Sequence, residues 1–219
     1  KDDVDDPAFD SQTAVLASLS SLLDEAIADL GSATTRNESY DIIFNGDKNK
    51  WIEAAYTLKA RYALIQSDYS AALSAANNGI SSSAGDMMYI PRGDAAINSG
   101  DKNLFYTLLA GSRTGDIGNK GSYLLSMLNP AESEYRGNAK TNELARHNYY
   151  VIEEMSASGN TGVAHQFEPQ PFATYSENQL IKAEAAARTS GFAAGLSNLN
   201  TYRAWLATGG RLNSTHNVS

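Results

Sequence analysis

The sequence predicts an all-α fold in which helical hairpins repeat on either side of a loop-rich middle lobe. Three observations carry that expectation. Apolar residues recur at helical spacing near both ends of the chain. Shifting the sequence by 123 residues lays 58–77 over 181–200 with 8 of 20 positions identical. Residues 81–170 between these segments are rich in Gly, Asn and Ser.

The first helix is expected over 10–30, DSQTAVLASLSSLLDEAIADL, where Val15, Leu19, Leu22, Ala26 and Leu30 fall at steps of three and four. Asp10 or Ser11 can cap its start, and Gly31 is expected to stop it. A polar connection, SATTRNES, leads to YDIIF, which reads as a short extended run. Asn45 and Gly46 then turn the chain, and Asp47 caps a helix with Trp51, Ala55, Leu58, Tyr62 and Ile65 on one face. The alanines at 54, 55, 60 and 63 let another helix come close, while Trp51 fills the larger gap. Lys59 and Arg61 belong at the edge of that face, solvated or paired. After a break at Ser67 and Asp68, YSAALSAANNGI supplies the return helix, so 48–79 reads as an antiparallel hairpin.

The second copy starts with Ser176 and Gln179 at capping-box spacing and carries Glu184 and Arg188 as an i,i+4 pair. Its return helix places Phe192, Leu196, Leu199, Arg203 and Leu206 on one face before Gly209 and Gly210. Phe192 falls opposite Tyr69 in the repeat. An aromatic residue, then alanine, then leucine after the turn is a tetratricopeptide-like pattern, in which each pair buries a face against the next. Packing roles are therefore expected for Trp51, Leu58, Tyr69, Leu73, Phe192 and Leu196, and Trp205 is read as core. Between the copies, LFYTLLAG, SYLLSMLN and ELARHNYYVIEEM are expected as short helices or a strand. The expected organisation is one domain over 1–219: a mobile end at 1–9, helices over 10–80, a loop-rich insertion over 81–170 and a hairpin over 171–210.

Composition removes several functions. With a net charge of −8 and no basic stripe, the chain lacks what neutralises phosphates, so nucleic acid is excluded as a partner. No apolar run approaches the roughly 20 residues a membrane helix needs. The KDDVDD start lacks the glycine and closing glutamate of a calcium loop and reads as a solvated end. There are no cysteines, which removes disulfides and thiolate chemistry. His147, His165 and His216 show no metal-ligand spacing, and neither a GxSxG elbow nor a phosphate-binding loop occurs. Glu153 and Glu154 are adjacent and diverge, so they make no carboxylate pair. The RGD at 92–94 and the sequons at Asn37 and Asn213 are too short to carry weight. No catalytic residue, metal or cofactor is assigned.

Two segments carry a family resemblance. GDKNKWIEAAYTLKARYAL resembles the "GD, then W, then A, then LK-R" helix of the SusD/RagB-like outer-membrane lipoproteins of Bacteroidetes, and TYSENQLIKAEAAARTSG resembles their "E, then L-KAEA" helix. Helix 10–30 fits the segment ahead of the first motif. Tyr56 stands where that family usually has asparagine, and the family's lipid-bearing cysteine and C-terminal helical region are not recognised, as in a mature fragment or shortened member. The resemblance implies a non-enzymatic, surface-exposed, lipid-anchored protein of the outer membrane that binds an oligosaccharide or other glycan beside a TonB-dependent, SusC-like transporter.

A sugar site needs flat aromatic faces flanked by groups that satisfy hydroxyls. The candidates are Tyr89, Tyr106, Tyr123, Tyr135, Tyr149 and Tyr150, with Asn103, Asn119, Arg113 and Arg136 near them in sequence. Two other readings stay open: a tetratricopeptide-like scaffold for a protein partner, and a helical glycan-degrading enzyme.

Overall fold

The computed structural model describes residues 8–34, 38–97, 100–110, 113, 115–137, 143–152, 161–208 and 210. The KDDVDD start, Glu153, Glu154, Gly209, His216 and the sequon residues Asn37 and Asn213 lie outside the described residues. The described chain is mostly helical and divides into two compact units. One comprises Lys1–Met88 and Pro171–Trp205, the other Tyr89–Gln170 and Leu206–Ser219.

The first unit begins with α1 (Gln12–Ser32), whose N-cap is Ser11, the hydroxyl accepting from the Ala14 N–H. The covered column runs through Leu16, which is buried, and Leu19, Leu23, Ala26, Ile27 and Leu30, which are half-buried, while Val15 and Leu22 are 44% and 60% exposed. Leu19, Ala26 and Leu30 of the expected stripe thus keep their place, while Val15 and Leu22 give way to their neighbours Leu16 and Leu23. α1 packs on α2 (Lys48–Ile65), and a single neighbouring helix covers one of two adjacent apolar columns. Gly31 lies inside the last turn, and the helix closes where the Ala33 N–H bonds to the Leu30 carbonyl.

YDIIF is a turn and not an extended run, because the Asp41 side chain draws the backbone around itself. Its Oδ1 accepts from the N–H groups of Ile43 (3.0 Å) and Phe44 (3.1 Å), and its Oδ2 from Gly46 N–H (2.8 Å) and the Trp51 indole (2.7 Å). Such local bonds from Asp compete with extended backbone. Asn45 and Gly46 take the left-handed conformation, φ 53° and 78°, and Asp47 caps α2 by accepting from the Asn49 N–H.

α2 and α3 (Tyr69–Ala76) form the first hairpin, and α7 (Tyr175–Ser190) and α8 (Phe192–Leu206) the second. Both segments of the sequence repeat therefore fold as paired helices. The first contact surface is made of alanine: Ala60, Ala72 and Ala76 with Ala185 and Ile181 of α7, and Tyr69 and Leu73 packed against them. Ile65, at the end of the expected stripe, is 54% exposed. In the second copy Gly195 takes the position of Ala72. A Cβ there would stand 2.5 Å from the Ala187 Cβ and 2.8 Å from the Ala183 carbonyl, so only glycine allows the approach. A second cluster gathers Trp51 and Leu58 around Phe44, Ala54, Ile80 and Tyr175, with Trp205 edge-on to Tyr175 at 5.0 Å.

Two further expectations change in the second hairpin. The cap of α7 is Thr174 with Glu177, the threonine hydroxyl accepting from the Glu177 N–H, in place of Ser176 and Gln179. Thr174 is the extended residue at the helix entrance, whereas Ser176 already lies within the first turn. Phe192 is 77% exposed and Leu206 37%, so neither is the packing residue that the repeat suggests. Tyr69 is covered because the Arg188 guanidinium of the following helix lies 5.2 Å above its ring. Among the described residues no helix follows α8 to do the same for Phe192.

Asn178 fastens α7 to the end of α3. It is 1% exposed, and its amide nitrogen donates to the carbonyl of Ala76 (3.0 Å), which the Gly79 N–H also reaches, and to that of Ile80 (3.1 Å) just beyond the helix. Arg61 grips the start of the same helix through both carboxylate oxygens of Glu177 and the Phe172 carbonyl. Lys59 is paired with Asp24 of α1.

In the second unit the expected middle segments are short helices: α4 (Leu104–Ala110), α5 (Tyr123–Leu128) and α6 (Glu143–Tyr150). Leu109, Ile152 and Ala164 form its core, with Ile117 and Val163 against them. The strands β1 (Met87–Tyr89) and β2 (Gln170–Ala173) pair as a two-stranded sheet. None of the described helices is long and apolar enough to cross a membrane.

Candidate functional site

Helices of six to eight residues do not persist alone in water, so the second unit depends on side chains that tie its loops. Lys102, 6% exposed, donates to the Asp94 carbonyl (2.6 Å) and to Gln166 Oε1 (2.8 Å), with its ammonium 4.3 Å from the Phe167 ring centre. Asn103 caps α4 through the Phe105 N–H and donates to the Val163 carbonyl. Asn119 clamps the end of α6: its amide donates to the Tyr150 carbonyl (2.6 Å), and its oxygen accepts from the Ile152 N–H (2.8 Å). Asn103 and Asn119 thus spend their hydrogen bonds on the fold. Arg113 pairs with Asp116, while Arg136 is exposed, its backbone N–H bonded to the Met127 carbonyl.

The candidate tyrosines separate into two groups. Tyr106 is buried at 8% exposure. Tyr89 donates to Asp101 (2.6 Å), and that bond holds the phenol above and the carboxyl below their ordinary titration ranges. Tyr149 donates to Glu168 (2.7 Å) and meets Tyr150 edge-on at 5.0 Å, and Tyr135 is half-buried. Tyr123 and Tyr150, at 60% and 41% exposure, present ring surface to solvent.

These two rings belong to the helices that form a cleft of about 220 Å³. Lys120, Ser126, Asn129, Glu132 and His147 line it together with Gly121, Leu125 and Val151. Sequence reasoning missed this set, because the residues come from two helices and the three segments that flank them, with no shared spacing. His147 alone stands out in the sequence, and as an isolated histidine. The site holds one lysine and one carboxylate, several neutral donors and acceptors, and an apolar wall. Among the described residues no group of three His, Cys, Asp or Glu side chains is placed to hold a metal ion.

A larger groove, about 430 Å³, crosses α1, α2 and α3 in the first unit. Its floor is small, with Ala17, Ser20, Ala63 and Ala71, and Tyr62 is its one ring. It offers little flat aromatic surface for a sugar.

The sequence profile of a SusD-like family, described as "starch-binding associating with outer membrane", matches residues 1–204. The chain belongs to this SusD-like family. Members of the family are generally non-catalytic binding proteins.

Solved structures agree at the level of the fold. A SusD/RagB family protein from Bacteroides thetaiotaomicron superimposes with a TM-score of 0.52 at 22% identity, covering 93% of this chain and 48% of the other. A chitin-binding protein gives 0.51 at 19% identity, covering 90% and 50%. A second SusD-like protein from Bacteroides thetaiotaomicron gives 0.52 at 18%, covering 93% and 47%. The SusD-like chain described here therefore spans about half the length of these structures. No curated protein matches its sequence.

Proposed function

We propose that this SusD-like protein captures an oligosaccharide at the outer membrane without cleaving it and delivers it to a TonB-dependent, SusC-like transporter. The observation that carries this reading is that two exposed rings, Tyr123 and Tyr150, stand on the helices that line a polar cleft, in a chain of a family described as starch-binding. Aromatic faces pack against sugar C–H groups while side chains of mixed polarity meet the hydroxyls. The two units work as parts of one SusD-like domain, or of a fragment of a longer one, held at the cell surface by a lipid anchor. Attachment beside a transporter raises the effective ligand concentration at its mouth with no new chemistry.

Polysaccharide gel retardation and a glycan array test the proposal directly. Retention by at least one glycan is expected, weakened in Tyr123→Ala and Tyr150→Ala. No retention by any glycan sinks it, as does release of reducing sugar by the purified protein. The groove across α1, α2 and α3 favours a second reading, a scaffold for a protein partner. That reading predicts occupation of the helical surface and no affinity for glycans.

A further inference from the structure

We propose that the cleft between α5 and α6 is an end pocket, taking one uncharged sugar ring at the terminus of a glycan while Tyr123 and Tyr150 carry the units that follow. The inference rests on the glycan-capture reading and assigns it a position, a ligand size and a charge.

Size comes first. At about 220 Å³ the cleft falls below the roughly 300–1,000 Å³ of pockets that enclose drug-sized ligands, so it holds a ring and not a chain segment. Charge follows from the lining. Lys120 and Glu132 together leave the lining without net charge, so it offers no excess of either sign to draw in a charged sugar. Hydroxyl groups both donate and accept, as do Ser126 and Asn129, so a neutral ring finds partners in the charged and the uncharged members of this lining alike. Leu125, 4% exposed, and Val151 supply the wall against which C–H groups rest.

The platform is attached to the pocket by the chain itself. Tyr123 opens α5 between the lining residues Gly121 and Leu125, and Tyr150 closes α6 immediately before Val151. Asn119 bonds both to the Tyr150 carbonyl and to the Ile152 N–H, and so fixes the backbone on either side of Val151. Ordering this segment in the free protein lowers the entropy lost on binding.

The test uses the 219-residue protein with maltohexaose and chitohexaose, and with glucose and N-acetylglucosamine as single-ring competitors. At least one hexasaccharide is expected to bind, and the matching monosaccharide in excess displaces it. Saturation with that monosaccharide moves the ring resonances of His147, which lines the cleft, and leaves those of His165 in place. Ser126→Phe fills the cleft and is expected to cost about tenfold or more in hexasaccharide affinity. Glu132→Gln, which keeps the shape, provides the check if the bulky variant does not fold, with a loss of about threefold. If the tyrosine variants weaken binding while Ser126→Phe, Glu132→Gln and the monosaccharides leave it unchanged, the end pocket is wrong and glycan capture stands. If neither hexasaccharide binds and the array also shows no retained glycan, both readings fall.

Discussion

The two units hold themselves together by different means. In the first, helices meet through side chains with almost no volume: Ala60, Ala72 and Ala185 are each 0% exposed, and Gly195 lets α8 touch α7. In the second, short helices are joined by polar side chains that reach across the sequence, Lys102 to Gln166, Asn103 to Val163 and Asn119 to Tyr150. The first arrangement is set by periodicity and tolerates little change in volume. The second leaves loop surfaces free to vary between these ties, which suits a lobe whose task is recognition.

Asn178 should show the largest effect. It is the buried polar tie of the alanine unit, and its two bonds go to the carbonyls of Ala76 and Ile80. Asn178→Ala removes the donor to the Ile80 carbonyl and leaves the Ala76 carbonyl with the Gly79 N–H alone (3.3 Å), a cost of about 3 kcal/mol. Both tryptophans, Trp51 and Trp205, belong to the first unit, so their fluorescence during urea unfolding follows it. A midpoint unchanged from the parent protein would show that alanine packing alone holds α7 to α3. The Asn178 Oδ1 also explains Gly79: a Cβ there would stand 2.5 Å from that oxygen.

Asp41 is the next largest, and it gives the first unit a pH dependence. Burial pushes its carboxyl up, but the Trp51 indole and the N–H groups of Phe44, Gly46 and Ile43 together outweigh burial and hold it below the ordinary aspartate value. A carboxylate whose folded value is depressed contributes stability that is present above its unfolded value, about pH 4, and is lost as pH falls through the folded value. Asp41→Ala should cost about 2 kcal/mol at neutral pH through the lost charge-assisted bonds. It should also flatten the acid limb of a stability–pH profile followed by tryptophan fluorescence. An acid limb identical to that of the parent protein would assign the titration to other groups.

Lys102 tests the other side of the comparison. Lys102→Met keeps the length of the side chain and removes the donor to Asp94 and Gln166 and the cation over Phe167, at a cost of about 1.5 kcal/mol. Amide exchange should accelerate across 103–109 and 161–167, and the tryptophan transition should stay where it was. Equal destabilisation in both readouts would mean that the units unfold together.

The sequence made the scaffold legible because a helix repeats its contacts every turn. Trp51, Leu58, Ala54 and Ala60 could be placed from spacing, and the 123-residue shift located the second hairpin. Spacing does not choose between adjacent columns: it points to Val15 and Leu22, where Leu16 and Leu23 are the covered pair. It also missed Asp41, whose four bonds reverse a segment that reads as extended. The cleft was less legible still. Its tyrosines could be named as a set, but which rings stay exposed depends on bonds such as Tyr89 to Asp101 and Tyr149 to Glu168, and these acceptors are 12 and 19 residues away. The lining of Lys120, Ser126, Asn129, Glu132 and His147 exists only once α5 and α6 are side by side.

The smallest expected effect separates sequence equivalence from structural equivalence. Tyr69 and Phe192 occupy the same position in the repeat, yet Tyr69 lies under Arg188 and packs against the alanine cluster, whereas Phe192 is 77% exposed. Removing the Tyr69 ring gives up both packing and a cation–π contact and should cost about 1–2 kcal/mol, while Phe192→Ala should fall within about 0.5 kcal/mol of the parent protein. The tryptophan transition of the 219-residue chain measures both. Equal losses would mean that the Phe192 ring is buried in solution by something absent from this structure. A large difference, in the direction stated, would establish that position within the hairpin does not decide burial, which requires a following helix to cover the ring.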